Sequence, residues 1–182
     1  MARLALITLP SLNRALDRVR NELAAHGFYA DDVAAVPVWL DGWPRLETYG
    51  YWDGEIHVPA VTLDRVRTHW FGGVYTSLAD VLRHEYGHAV ADLYPRLVRS
   101  KRFRDAFSTH HDDERPHEFD PGLHVSTYAA TCASEDWAEV FMAFHRCRGR
   151  LPARWSTTAI RAKWQFVASA GAAVDRGRRR WT

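Results

Sequence analysis

The chain has 182 residues, of which 47% are hydrophobic and 25% charged, a composition that predicts one globular domain over residues 1–182 rather than a disordered chain. Its formal net charge of +2 is too small to indicate nucleic-acid binding, and no apolar run is long enough to cross a membrane. The run at residues 4–9 is also too short for a signal peptide, so we expect a cytoplasmic protein. Composition leaves the oligomeric state open.

The N-terminal third is predicted to contain one helix and three strands. Residues 11–26 have helical periodicity, with Ser11 as the N-cap and Gly27 at the stop. Its apolar face is predicted to comprise Leu12, Ala15, Leu16, Val19, Leu23 and Ala24. The runs 33–40, 45–52 and 55–62 are rich in strand-forming residues and separated by turn residues.

A β-hairpin is the clearest of these strand signals. Asp53-Gly54 is a two-residue turn of the kind that joins antiparallel strands. Pro59 indicates that the second strand lies at a sheet edge or ends there. An edge strand here could hold an extended substrate by main-chain pairing; the alternative is a purely structural hairpin.

A short helix is expected at 63–70, followed by a glycine break and an amphipathic helix over residues 77–93. Ser77 is its predicted N-cap, and Pro95 marks its end. The helix contains HExxH, in which His84 and His88 share a face and can bind one Zn²⁺, while Glu85 can accept a proton. Gly87 is a small residue where a strand or substrate could approach. The alternative is a surface helix with two histidines.

The remaining elements follow from simpler patterns. A helix is predicted at 95–108, a polar loop at 110–122, and a final helix at 156–175. The histidines and acids of the loop could bind a second metal, although a solvated loop is the favoured interpretation. Cys132 and Cys147 fit free, buried thiols better than a disulfide scaffold. The last helix is predicted to bury Ile160, Trp164, Val167 and Ala168.

A catalytic zinc needs a third protein ligand. Ala91 and Tyr94 stand where an extended HExxHxxGxxH motif would have glycine and histidine, so that motif is excluded. A second predicted helix offers Glu135 and Glu139, four residues apart, of which one carboxylate could bind metal and the other orient a ligand histidine. Asp136 is the rival ligand, but it lies about 100° away around the helix. The apolar side of this helix comprises Trp137, Ala138, Val140, Phe141 and Phe144.

The combination of HEYGH with SEDWAEVF resembles the gluzincin metalloproteases, in which a glutamate on a second helix completes the site. The resemblance covers residues 77–147 and implies that Glu135 is the ligand and Glu139 its support. Tyr128, seven residues before Glu135, is similar in placement to the catalytic tyrosine of the lethal-factor and Pro-Pro endopeptidase group. The chain also resembles small bacterial zinc metallopeptidases of unassigned substrate. The ImmA/IrrE type has a different second motif.

The resemblance implies an α+β, zincin-like fold, with a small N-terminal sheet lobe carrying the HExxH helix and a mostly helical C-terminal lobe. It implies one Zn²⁺, a peptide or protein substrate, Glu85 as the base and Tyr128 as a donor to the developing oxyanion. The alternative is a zinc-binding module that uses the same fold for protein interaction without proteolysis.

Overall fold

The computed structural model describes residues 6–42, 49–62 and 77–175. The predicted helix 63–70, residues 45–48 of the predicted second strand and the arginine-rich end at 176–182 lie outside the described residues. The described ranges combine a small three-stranded sheet with a larger set of helices. This is an α+β architecture, as predicted.

The first helix, α1 (Leu9–Ala25), begins two residues before the predicted start. Ser11 is not the N-cap: Thr8 is, because its side chain accepts a hydrogen bond from Ser11 N, while Thr8 N donates to Ser11 Oγ. Pro10 fits in the first turn, where no amide hydrogen is needed. The helix buries Leu12, Leu16, Val19 and Leu23 and half-buries Ala15, as predicted. Ala24, also predicted for this face, is exposed.

The predicted strand 33–40 is partly wrong. Residues Asp31–Ala34 form a short helix, α2, and the strand β1 is Val38–Asp41. Two acidic residues occupy the first turn of α2, where the helix dipole favours negative charge. The strand therefore begins only after Pro37.

The hairpin prediction is confirmed by strands β2 (Gly50–Trp52) and β3 (Glu55–Pro59), which pair antiparallel. Asp53 and Gly54 both have positive φ, at 51° and 81°, as the favoured two-residue hairpin turns require. The sheet order is β1-β3-β2, with β1 parallel to β3. The strand containing Pro59 is therefore central and ends at that residue, while β2 is an edge strand.

The HExxH helix, α3 (Leu78–Leu93), is capped by Ser77 as predicted. It packs against α6 (Ala133–Arg146), whose predicted apolar side is buried. A Cβ added at Gly87 would lie 3.1 Å from Ala138 Cα, and Trp137 Nε1 donates to Gly87 O at 2.8 Å. The close approach at Gly87 is real, but the neighbour is helix α6 rather than a strand or substrate.

The single helix predicted at 95–108 is two helices, α4 (Pro95–Val98) and α5 (Lys101–Phe107). Ser100 caps the second by accepting from Phe103 N, which starts a new helix inside the predicted one. Residues 110–122 contain no helix or strand, as predicted. One-turn 3-10 helices occupy Tyr128–Ala130 and Ala153–Trp155.

The last helix, α7 (Thr158–Asp175), buries Ile160, Trp164 and Val167, but Ala168 is exposed. Cys132 and Cys147 are free, as predicted, yet only half-buried. Among the described residues, no helix combines the length and apolar character needed to cross a bilayer.

Candidate metal centre

A cavity of about 740 Å³ opens between the hairpin, the HExxH helix and the start of α6. Five of the six predicted site residues line it: His84, Glu85, His88, Tyr128 and Glu135. The sixth, Glu139, lies behind them. The structure therefore brings together residues from two helices and a 3-10 turn that are far apart in sequence.

Three possible ligand atoms converge at one point. His84 Nε2 lies 3.0 Å from His88 Nε2 and 3.0 Å from Glu135 Oε2, and His88 Nε2 lies 3.4 Å from the same oxygen. Bonds of about 2.0–2.1 Å from zinc to nitrogen and oxygen place tetrahedral ligands about 3.3 Å apart. The triangle formed by these atoms therefore has the size of one face of a zinc tetrahedron.

Glu139 orients the ring of His84. His84 Nδ1 lies 3.0 Å from Glu139 Oε1, and Glu139 is fully buried. A hydrogen on Nδ1, shared with this carboxylate, leaves the Nε2 lone pair directed towards His88 Nε2 and Glu135 Oε2. Either a proton or a metal ion can lie between His84 Nε2 and Glu135 Oε2, since both carry positive charge. The donor set thus fits a metal ion.

Charge in the site also favours a cation. Burial lowers the pKa of His84, but hydrogen bonds to Glu135 and Glu139 raise it overall above its ordinary value. Burial raises the pKa of Glu135, but contacts with His84 and His88 lower it overall. The Glu135 carboxylate therefore stays ionised and stabilises positive charge at the point where the ligand atoms meet.

Ser126 contacts Glu139, the carboxylate behind His84, and was not predicted from the sequence. Its Oγ donates to Glu139 Oε2 at 2.5 Å and accepts from Ala129 N at 3.0 Å. The first contact fixes the carboxylate that holds His84, and the second fixes the 3-10 turn that begins at Tyr128. The sequence carries a local signal only for the contact with Ala129, because a serine often accepts a hydrogen bond from the backbone amide three residues later.

Tyr128 lies beside His84, and the centres of the two rings are 5.7 Å apart. Burial raises the pKa of Tyr128, and the charges of Glu135, Glu85 and Glu139 raise it further. The phenol therefore keeps its proton at neutral pH and can act as a hydrogen-bond donor within the cavity.

Asp136, the rival of Glu135, points elsewhere. Its Oδ2 lies 2.5 Å from Lys163 Nζ, and both side chains are buried. Lys163 also donates to Leu123 O at 2.6 Å. Burial raises the pKa of Asp136 to about 6, although Lys163 opposes this effect. Asp136 thus joins α6 to α7, while Glu135 faces the cavity.

The loop 110–122 forms no second cluster of metal ligands: across 6–42, 49–62 and 77–175, His84, His88 and Glu135 are the one convergent group. Its residue His111 nevertheless lines the cavity. Burial, with His88 nearby, lowers the pKa of His111 to about 4, so its ring is neutral at pH 7.

Glu85 is held by the hairpin. Its Oε2 accepts a hydrogen bond from Tyr51 N at 2.8 Å, and Glu85 is only 3% exposed. Tyr51 is a second residue that the sequence analysis did not place in the site. The HExxH carboxylate is therefore fixed at one oxygen by the edge strand.

Comparison with known protein families, with curated proteins and with solved structures found no match.

Proposed function

We propose that this chain is a zinc-dependent metallopeptidase with a zincin-like fold, in which His84, His88 and Glu135 hold one Zn²⁺. The observation that carries the proposal is the convergence of these three ligand atoms in a cavity that also contains Glu85 and Tyr128. Three protein ligands, rather than four, are typical of catalytic zinc, which keeps one position for water or substrate.

The residues around the ligands account for the proton and charge movements of peptide hydrolysis. Bound zinc would supply Lewis acidity towards the scissile carbonyl and lower the pKa of a water molecule. Glu85 accepts a proton from the attacking water and delivers it to the leaving amine. Tyr128 donates a hydrogen bond to the carbonyl oxygen as negative charge develops there. The cavity volume of about 740 Å³ suits a segment of a peptide or protein substrate.

The test is turnover of an unbiased peptide library by zinc-loaded protein, with Glu85→Gln as the key variant. This change preserves shape but removes the base, so we expect zinc content to be retained and hydrolysis to fall by about 10²–10⁴-fold. Glu118→Gln, the same change at an exposed loop residue, is the matched control and should behave as wild type.

Two results would oppose the proposal in different ways. A wild-type protein that binds zinc but cleaves no library peptide would favour the zinc-binding interaction module. Near-native turnover by Glu85→Gln at matched zinc content would remove Glu85 from the chemistry.

A further inference from the structure

Tyr51 contacts the HExxH helix at two points, through its backbone and its side chain. Its N–H donates to Glu85 Oε2 at 2.8 Å, and its phenol donates to Asp92 Oδ2 at 2.7 Å. The two acceptors are seven residues apart, about two helical turns or 10 Å along the axis. One residue of the edge strand thus spans the length of helix that carries the base and His88.

The hairpin makes the backbone contact possible. Tyr51 stands opposite Ile56 in the hairpin register, and its N–H is donated to Glu85 rather than across the ladder. Gly50 has φ +109°, a conformation that favours glycine, and a Cβ there would lie 3.3 Å from Glu85 Oε2. The glycine therefore permits both the strand conformation and its close approach to the carboxylate.

We propose that Tyr51 is a positioning residue for Glu85: the Asp92 bond holds the strand along the helix, and the strand's amide holds one oxygen of the base. This inference rests on the proposed peptidase function. The second oxygen of Glu85 is then the one that accepts the proton. Because the Tyr51 amide is already engaged, an extended substrate cannot use that N–H for main-chain pairing while Glu85 is held.

A nearly identical bond elsewhere on the same helix provides a matched control. Tyr94 follows the last residue of α3, and its phenol donates to Asp32 Oδ1 at 2.6 Å. Tyr94 does not line the cavity. Tyr51→Phe and Tyr94→Phe therefore each remove one phenol–carboxylate bond, but only the first loosens the contact with Glu85.

The experiment measures kcat, KM and zinc content of both variants, with amide hydrogen exchange at position 51. The base is worth about 10²–10⁴-fold, so its partial displacement in Tyr51→Phe should lower kcat about 10-fold, with KM and zinc content unchanged. Exchange at position 51 should become about 10-fold faster. Tyr94→Phe should change neither kcat nor the exchange rate at position 51. Asp92→Ala should reproduce the loss, and adding it to Tyr51→Phe should lower kcat no further.

Unchanged kcat in Tyr51→Phe of an active protein would overturn the positioning role, as would equal losses in Tyr51→Phe and Tyr94→Phe, which would indicate general loosening. If the wild-type protein cleaves no peptide, the proposed function fails. The exchange measurement still shows whether the Tyr51 phenol stabilises the hydrogen bond from Tyr51 N to Glu85. Faster exchange at position 51 in Tyr51→Phe alone then supports the contact, and unchanged exchange overturns it.

Discussion

Adjacent residues on the HExxH helix lie in two buried polar clusters of opposite character. Arg83, 1% exposed, donates through Nε and Nη2 to Glu22 and through Nη1 to Asp80, at 2.6–2.9 Å. The cation has two carboxylate partners, and the cluster is complete within the chain. Such self-contained clusters hold elements together and need no ligand.

The cluster that begins at the next residue is different. His84, His88 and Glu135 direct possible metal-ligand atoms at one another. Burial of charge alone therefore does not identify a site; the distinguishing feature is that three possible metal-ligand atoms converge at one point in a cavity.

Arg83→Met should destabilise the fold by about 3–5 kcal/mol, because it leaves two carboxylates without their buried cation. Zinc affinity of the folded fraction should stay close to wild type. Urea denaturation measures the first quantity and zinc titration the second. Arg18→Met is the control, since Arg18 contacts the same Glu22 from the surface and should change stability by no more than about 0.5 kcal/mol. Equal effects of the two variants would contradict the structural role of Arg83.

Tyr128→Phe should lower kcat by about 10²–10³-fold, the effect of losing one oxyanion donor. Zinc content and melting temperature should change little, because the ring still packs. Steady-state kinetics at matched zinc content provide the measurement. Unchanged kcat together with lower stability would make Tyr128 a packing residue instead.

Glu139→Gln should weaken zinc binding by about 10–100-fold, because the carboxylate that orients His84 loses its charge. Asp136→Asn is the matched change three residues away on α6. It should lower stability through the Lys163 contact and leave zinc affinity unchanged. Parallel zinc titrations compare the two, and a larger zinc defect in Asp136→Asn would reverse the assignment of the helix faces.

The buried His145 of α6 should make the fold sensitive to acid. Its ring packs against Phe28, Phe141 and Phe144, and burial, with His26 and Arg83 nearby, holds the pKa of His145 well below its ordinary value. Below pH about 6.5 the unfolded chain binds a proton that the folded chain does not. The free energy of unfolding therefore falls by about 1.4 kcal/mol for each unit by which the pH is lowered.

The test compares urea unfolding of the wild type and His145→Phe between pH 7 and pH 5. The variant should lose less stability over this range, because the group that titrates only on unfolding is gone. Parallel pH profiles for the two proteins would show that His145 is not the source of the acid sensitivity.

Elements with strong local signals could be predicted from the sequence. Ser77 caps the HExxH helix, and Asp53-Gly54 turns the hairpin, because each signal acts within a few residues. The helix predicted at 95–108 failed at Ser100, since a serine inside an apolar pattern fits either a helix interior or a new cap. The prediction of a strand at 33–40 was partly wrong because residues 33 and 34 belong to helix α2 and the strand begins at Val38.

The site was predictable only where motifs carried it. HExxH and the spacing of Glu135 and Glu139 indicated which residues to bring together, and the structure places them accordingly. Ser126 and Tyr51 were missed because they contact Glu139 and Glu85 across 13 and 34 residues. Such contacts depend on how separate elements pack, which periodicity within one element does not describe.

Elemental analysis of purified protein decides whether His84, His88 and Glu135 hold zinc. The account predicts about one zinc per chain in the wild type, none in His88→Ala, and one in His117→Ala, which removes an exposed loop histidine. A wild-type protein without zinc after exposure to the metal, or full zinc content in His88→Ala, would contradict it.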